Sequence, residues 1–212
     1  HKKYITYKSN ATILSSGYRD DLFNEKVKKI SNQVIFAGQL LRFGTSRNID
    51  FLISCFEDEK LKNFELKIVG GPNEYIKLLK SERNKPIPEN VHFLGRLNHK
   101  DTIKIMLESE IGILINNEDN HSTKFTSPLK YFEYLAANLK ILAVNFESHK
   151  ILPFSENILF FENDQIDSFI SSLLDSKKTT PIHKKYYGEF SLSERAKKIT
   201  EFARLEGLEP PT

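Results

Sequence analysis

Residues 91–115 read VHFLGRLNHKDTIKIMLESEIGILI. Val91 to Gly95 and Ile111 to Ile115 are short runs of β-branched, aromatic and leucine side chains, each suited in length to a buried strand. Between them Ile103, Met106 and Leu107 share one face of a 3.6-residue period. Strand, helix, strand in that order is a βαβ unit, which requires a parallel pair with the helix packed on its face.

The same alternation extends in both directions. Upstream lie Val34-Ile35-Phe36-Ala37-Gly38 and Leu66-Lys67-Ile68-Val69-Gly70; downstream lie Ile141-Leu142-Ala143-Val144 and Ile158-Leu159-Phe160-Phe161. Helical stripes separate them: Ile49, Leu52, Ile53 and Phe56; Tyr75, Leu78 and Leu79; Ile166, Phe169, Ile170 and Leu173. Near-continuous apolar strands fit burial on both faces. The expected class is therefore α/β: a doubly wound, Rossmann-like parallel sheet of about six strands, with a C-terminal helix that leaves it. Ser191 and Glu194 have capping-box spacing and open that helix, which Gly207 ends. Tyr186 and Tyr187 are expected to pack beneath it. Residues 1–31 read as a strand and linker, 32–180 as the Rossmann-like domain, 181–206 as C-terminal helices and 207–212 as a tail.

Composition narrows the function classes. The chain has 212 residues, 39% hydrophobic and 28% charged, which suits one large globular domain. No apolar run approaches the roughly 18 residues that span a bilayer. The net charge is +3, and Lys and Arg alternate with Asp and Glu instead of forming a basic face, so no nucleic-acid partner is expected. Cys55 is the lone cysteine, which rules out an internal disulfide and points to the cytoplasm; with no histidine pair at ligand spacing, a structural zinc site has almost no support. Met106 is the one methionine and His1 opens the chain, so the sequence reads as a piece of a longer protein.

Three strands end in glycine, at Gly38, Gly70-Gly71 and Gly95. Each glycine alone is a tight turn; three at one sheet edge mark where a ligand meets the backbone, because open α/β sheets bind at the carboxyl ends of their strands. The second candidate is Thr126-Ser127-Pro128-Leu129-Lys130-Tyr131-Phe132-Glu133-Tyr134-Leu135-Ala136-Ala137. Ser127 suits an N-cap and Pro128 the first helical position. The amides of Leu129 and Lys130 then face an anion such as a phosphate, and Lys130 adds a cation. Glu133, one turn on, can accept from the vicinal hydroxyls of a ribose. The plain alternative is a well-capped amphipathic helix with Glu133 on its wet face. The polar loop Asn116 to Lys124 could meet a sugar or act as a lid. A metal site at Glu118 and Asp119 is not expected, and no cofactor is called for.

The stretch SPLKYFEYLAA resembles the donor-binding helix of the retaining family-four glycosyltransferases of the GT-B fold, whose usual wording is close to SPLKLFEYMAAG. ATILSSGYRDDLF, VIFAGQL…RNIDFLI, LKIVGGP, the 91–115 unit and FSLSERAKKITEF are similar to the family's other segments in the same order, so the resemblance covers nearly the whole chain. It implies the C-terminal half of a two-domain enzyme, with residues 32–180 binding a nucleotide-sugar and 181–206 packing back toward an N-terminal domain that holds the acceptor. Carried over, Gly38, Arg42, Arg47, Ser127, Leu129 and Lys130 face the donor diphosphate, Glu133 the ribose, and Gly70, Gly71 and Arg96 line the cleft near the base. No catalytic residue is certain in this half and no metal is implied.

Departures from the family's wording are specific. Phe125 stands where a second glutamate is usual, and Gln39 replaces an arginine. Arg47-Asn48 replaces Lys-Gly, and Asn138 replaces a helix-ending glycine. The implied activity is retaining transfer from a nucleotide-sugar, UDP-sugar before GDP-sugar, to a saccharide or lipid-linked acceptor. The implied setting is a bacterial surface polysaccharide or lipopolysaccharide pathway, such as O-antigen or capsule. A cytoplasmic enzyme with peripheral contact to the inner membrane face fits it. The fragment alone is expected to be inactive. The rivals are a GT-B sugar-nucleotide epimerase and a nucleotide-binding module without transferase activity.

Overall fold

The computed structural model describes residues 14–125 and 128–205. β1 (Gln33–Ala37) is followed by a small hairpin, β2 (Leu41–Arg42) and β3 (Thr45–Ser46). Then come α1 (Ile49–Cys55), β4 (Glu65–Val69), α2 (Asn73–Glu82), β5 (Val91–Gly95), α3 (His99–Glu108) and β6 (Ile111–Leu114). Short α4 (Asn120–Lys124) precedes α5 (Leu129–Ala136), β7 (Lys140–Val144), α6 (Glu147–Lys150), β8 (Leu159–Phe161) and α7 (Ile166–Asp175). The last described helices are α8 (Lys184–Tyr187) and α9 (Leu192–Leu205).

The six expected strands form one sheet in the order β5-β4-β1-β6-β7-β8, parallel throughout. Period two divides its side chains between two layers. Val34, Phe36, Leu66, Ile68, Ile113 and Val144 bury against α1, α2 and α7. Ile35, Ala37, Val69, Leu114, Ile141 and Ala143 bury against α3 and α5. The chain runs outward from β1 through β4 to β5 and then returns to β6 on the other side of β1. That reversal is where a crevice opens at the carboxyl ends.

The crevice is visible in the register. β1 and β6 pair at Val34–Ile111 and Ile35–Gly112, whereas β1 stays paired with β4 to Ala37–Val69. Tyr134 of α5 fills the gap. Its hydroxyl accepts the Ala37 N–H at 3.0 Å and lies 3.3 Å from the Ile113 carbonyl, to which it can donate. A Cβ at Gly112 would come within 2.5 Å of the Tyr134 ring, so the glycine makes room for the tyrosine.

Local details refine the sequence reading. In α2 the buried positions are Ile76 and Leu79, while Leu78 is 48% exposed, because a start at Asn73 turns Ile76 inward. Ile166 begins α7 and is exposed, one turn ahead of the buried Phe169 and Ile170. Asn48 and Asn138, standing where the family wording has glycine, adopt left-handed φ of 61° and 56°. Ser191 Oγ accepts the Glu194 N–H at 3.2 Å as its spacing predicts, but the Glu194 carboxylate turns to Lys197. Tyr187 is buried and Tyr186 is not. Tyr18, in the leading segment, exchanges backbone bonds with Phe190 and Leu192 at 3.0 and 2.9 Å, so the two ends of the described chain meet. Ser127, Gly207, the 207–212 tail and residues 1–13 lie outside the described residues.

Candidate active site

The floor of the cleft is backbone. The Gly38 N–H bonds the Val69 carbonyl at 2.9 Å, Gly70 N–H the Gly95 carbonyl at 2.8 Å, and Leu40 N–H the Gly71 carbonyl at 2.9 Å. These bonds carry the sheet past its strands into the loops. Gly70 has φ of 153°, and a Cβ there would lie 1.7 Å from the Gly38 carbonyl oxygen. No side chain can stand between these two loops, so a ligand meets bare main chain. A cleft of about 240 Å³ sits above, bounded by Gly38, Gly70, Gly71, Arg96, His99 and Lys130. A larger groove of about 590 Å³ runs between α1 and α2, where Arg83 pairs with both Asp50 and Glu57. The smaller cleft is the one at the strand ends and the glycine floor.

Arg47 lies directly behind Gly38, with Nη1 within 2.8 Å of where a Gly38 Cβ would be. Its Nε donates to Asn116 Oδ1 at 2.5 Å, Nη2 to the Ile115 carbonyl at 3.3 Å and Nη1 to the Gln39 carbonyl at 3.4 Å. The guanidinium also stacks on Phe36 at 5.5 Å. Burial, above all, pulls its pKa below the ordinary arginine value. Arg47 thus braces the ends of β1 and β6 and puts a fixed positive charge under the floor. Arg42 is elsewhere. It rides on the hairpin, 5.4 Å over the Phe43 ring, and is not among the side chains that line the cleft.

Asp119 is spent locally. It caps α4, accepting the Ser122 N–H at 2.7 Å and Oγ–H at 3.0 Å. Among the described residues no group of three or more His, Cys, Asp or Glu side chains could hold a metal.

α5 presents its start to the cleft. The helix begins at Leu129, and Pro128 sits at the cap with extended ψ of 116°, one residue later than the spacing suggested. Pro128 still offers its carbonyl to the Tyr131 N–H at 3.0 Å. Leu129, the first residue of the helix, is half exposed. Glu133 is not on a wet face: it is 3% exposed. Lys130 Nζ donates to its Oε2 at 2.5 Å, and His99 Nε2 faces its Oε1 at 3.1 Å. An ionised carboxylate can only accept, so this contact requires the proton on His99 Nε2. At the far end of α5, Lys29 Nζ donates to the Ala137 carbonyl at 2.6 Å, and burial lowers its pKa to about 8. His149, also buried, donates from Nδ1 to the Val144 carbonyl at 2.8 Å and is held below the usual histidine value by that burial.

The structure therefore brings together Gly38, Gly70, Gly71, Arg96, Lys130 and Glu133, with Arg47 behind them and Arg42 apart. Sequence reasoning missed His99, Tyr134 and Gly112. The family described as glycosyl transferases group 1 matches residues 31–176. The chain belongs to that family. No curated protein matches its sequence. Among solved structures it is similar to one described as the GtfA/B complex, at 15% identity and a TM-score of 0.63, covering 90% of this chain and 39% of that one. AviGT4, a glycosyltransferase involved in avilamycin A biosynthesis, is similar at 8% identity and a TM-score of 0.62, covering 94% and 60%. A trehalose-6-phosphate structure from E. coli, bound with UDP-2-fluoro glucose, shares 13% identity at a TM-score of 0.50 over 87% and 42%. These likenesses establish the fold, the Rossmann-like half of GT-B glycosyltransferases, and the chain spans between 39% and 60% of the length of these structures. Among the described residues no helix is long and apolar enough to cross a membrane.

Proposed function

We propose that this domain holds the donor in a glycosyltransferase that moves a sugar, with retention at the anomeric carbon, from a nucleotide-sugar to a saccharide or lipid-linked acceptor. UDP-sugar is the preferred donor. The observation that carries the reading is Glu133, buried beside the glycine-floored cleft with a cation on one oxygen and an imidazole on the other. A buried carboxylate at that place has the acceptors that ribose hydroxyls need. The diphosphate then lies across the start of α5 and the bare backbone of Gly38 and Gly70, where first-turn amides, Lys130 and the field of Arg47 meet its charge. That charge grows as the glycosidic bond breaks, so the groups stabilise the departing nucleoside diphosphate by electrostatic preorganisation. Arg96 and the loop after β5 meet the base.

The acceptor belongs to a second domain packed over this cleft, with residues 181–206 reaching back to it. A bacterial surface-polysaccharide pathway and a cytoplasmic enzyme touching the inner membrane face suit such an acceptor. Membership of the glycosyl transferases group 1 family and the structure bound with UDP-2-fluoro glucose support the donor class.

Calorimetry on the 212-residue chain with UDP, GDP and ADP tests this. UDP should bind most tightly, with no sugar transfer by the chain alone. Glu133→Gln should weaken UDP about ten-fold, the difference between hydrogen bonds to charged and to neutral acceptors, with the unliganded melting temperature little changed. No affinity for any of the three nucleotides, or an unchanged affinity in the variant, overturns the proposal.

A further inference from the structure

We infer that His99 is a positioning residue that sets the Glu133 carboxylate for the ribose, and so helps the site distinguish ribonucleotides from deoxyribonucleotides. The inference rests on the donor reading above and deepens it.

The argument begins with the two partners of Glu133. Lys130 reaches Oε2 on a flexible four-carbon stem. It also borders the cleft, so a diphosphate there competes for its ammonium. His99 reaches Oε1 from a fixed place. It is the first residue of α3, and Asn98 before it caps that helix, accepting the Asp101 N–H at 2.9 Å. Thr102 Oγ1 returns a bond to the Asn98 carbonyl at 2.8 Å. The imidazole has two rotatable bonds and starts from a tied helix end, so its Nε2 is held where the carboxylate needs a donor.

The consequence appears when Lys130 turns to phosphate. A carboxylate as buried as Glu133 that loses one partner keeps its orientation only through the other. With His99 in place, Oε1 stays anchored and Oε2 is released toward the ribose. Without His99 the carboxylate rotates freely, and the directed acceptor is lost. His99 is itself about half exposed and borders the cleft, yet its Nε2 faces Glu133. It acts on the nucleotide through the glutamate.

The test is a double-mutant cycle read by calorimetry on the 212-residue chain with UDP and 2′-deoxy-UDP. His99→Phe keeps a ring and removes the donor. It should weaken UDP about five-fold and 2′-deoxy-UDP less, narrowing the preference for the ribose form. His99→Gln, which still presents an N–H donor, should restore most of that preference. In the Glu133→Gln background His99→Phe should change neither ligand further. Equal weakening of both ligands, persisting in that background, would mean that His99 touches the nucleotide itself. An unchanged UDP affinity in His99→Phe alone would leave it a surface histidine. Either result overturns the inference while the donor reading stands. An unchanged UDP affinity in Glu133→Gln overturns the donor reading and this inference together.

Discussion

Two cations serve the cleft, Arg47 from beneath its floor and Lys130 from its edge, and they are held in opposite ways. Arg47, on the β1 side, has its three guanidinium nitrogens on Asn116, Gln39 and Ile115 and its face on Phe36. Lys130, on the α5 side, has one described partner, the carboxylate three residues ahead of it on the same helix. The first is built into the scaffold and supplies a constant field. The second is a flexible charge that a stronger anion can draw away. A site that binds an anion and later releases it would gain from both kinds, because the fixed charge costs no reorganisation and the mobile one offsets Glu133 until the anion draws it away, with His99 keeping the other oxygen.

The contrast can be broken first at the floor. Gly70→Ala drives a Cβ into the Gly38 carbonyl, a main-chain atom with nowhere to go. It should cost about 4 kcal/mol or more, enough to leave a domain of ordinary stability largely unfolded in a denaturant titration. Next, Arg47→Met and Lys130→Met should separate stability from binding. Arg47→Met strips donors from three oxygens and should lower unfolding stability by roughly 2–3 kcal/mol, with Arg47→Lys recovering little because one ammonium cannot span the same fork. Lys130→Met should cost less than Arg47→Met in the same titration, because His99 still faces Glu133, while weakening UDP about ten-fold by calorimetry. If Lys130→Met proves the more destabilising of the two, the division into fixed and mobile charge is wrong.

The smallest effect concerns the other end of α5. Lys29 has a folded pKa of about 8, lowered by burial from the ordinary lysine value of 10.5. Between those values the unfolded chain holds more protons than the folded one, so this residue's contribution to stability rises with pH from about 8 upward and is at its least below 8. Melting temperatures followed from pH 7 to 10 should rise in the parent relative to Lys29→Met across that window. A constant gap between the two would show that the lysine is solvated and uncoupled from the helix end.

Much of the fold was legible because its signals are local. Six apolar runs of strand length, separated by helical stripes, sufficed for the parallel sheet, and Gly38, Gly70 and Gly95 marked the edge where its strands run out into loops. The helix beginning near Pro128 was legible from its cap chemistry, though the start falls one residue later than spacing suggested. What stayed hidden depends on distance. The His99–Glu133 contact joins residues 34 apart in sequence, and nothing near His99 sets it apart from any surface histidine. The burial of Glu133 is set by what folds around it, which no pattern within SPLKYFEYLAA reveals. Arg42 and Arg47 looked equivalent along the chain; a hairpin turn at Phe43-Gly44 leaves one over the Phe43 ring, away from the cleft, and folds the other beneath Gly38.

The wedge between β1 and β6 constrains how this sequence can drift. Gly112 and the Tyr134 ring occupy adjoining space with none to spare, and the tyrosine hydroxyl also serves the Ala37 N–H. A larger residue at 112 is excluded while the tyrosine remains. A smaller residue at 134 strands a buried amide and opens a hole before any change at 112 can fill it. Each single step is harmful and only a paired exchange is neutral, so the two positions form one heritable unit, with α5 and the central strands obliged to evolve together.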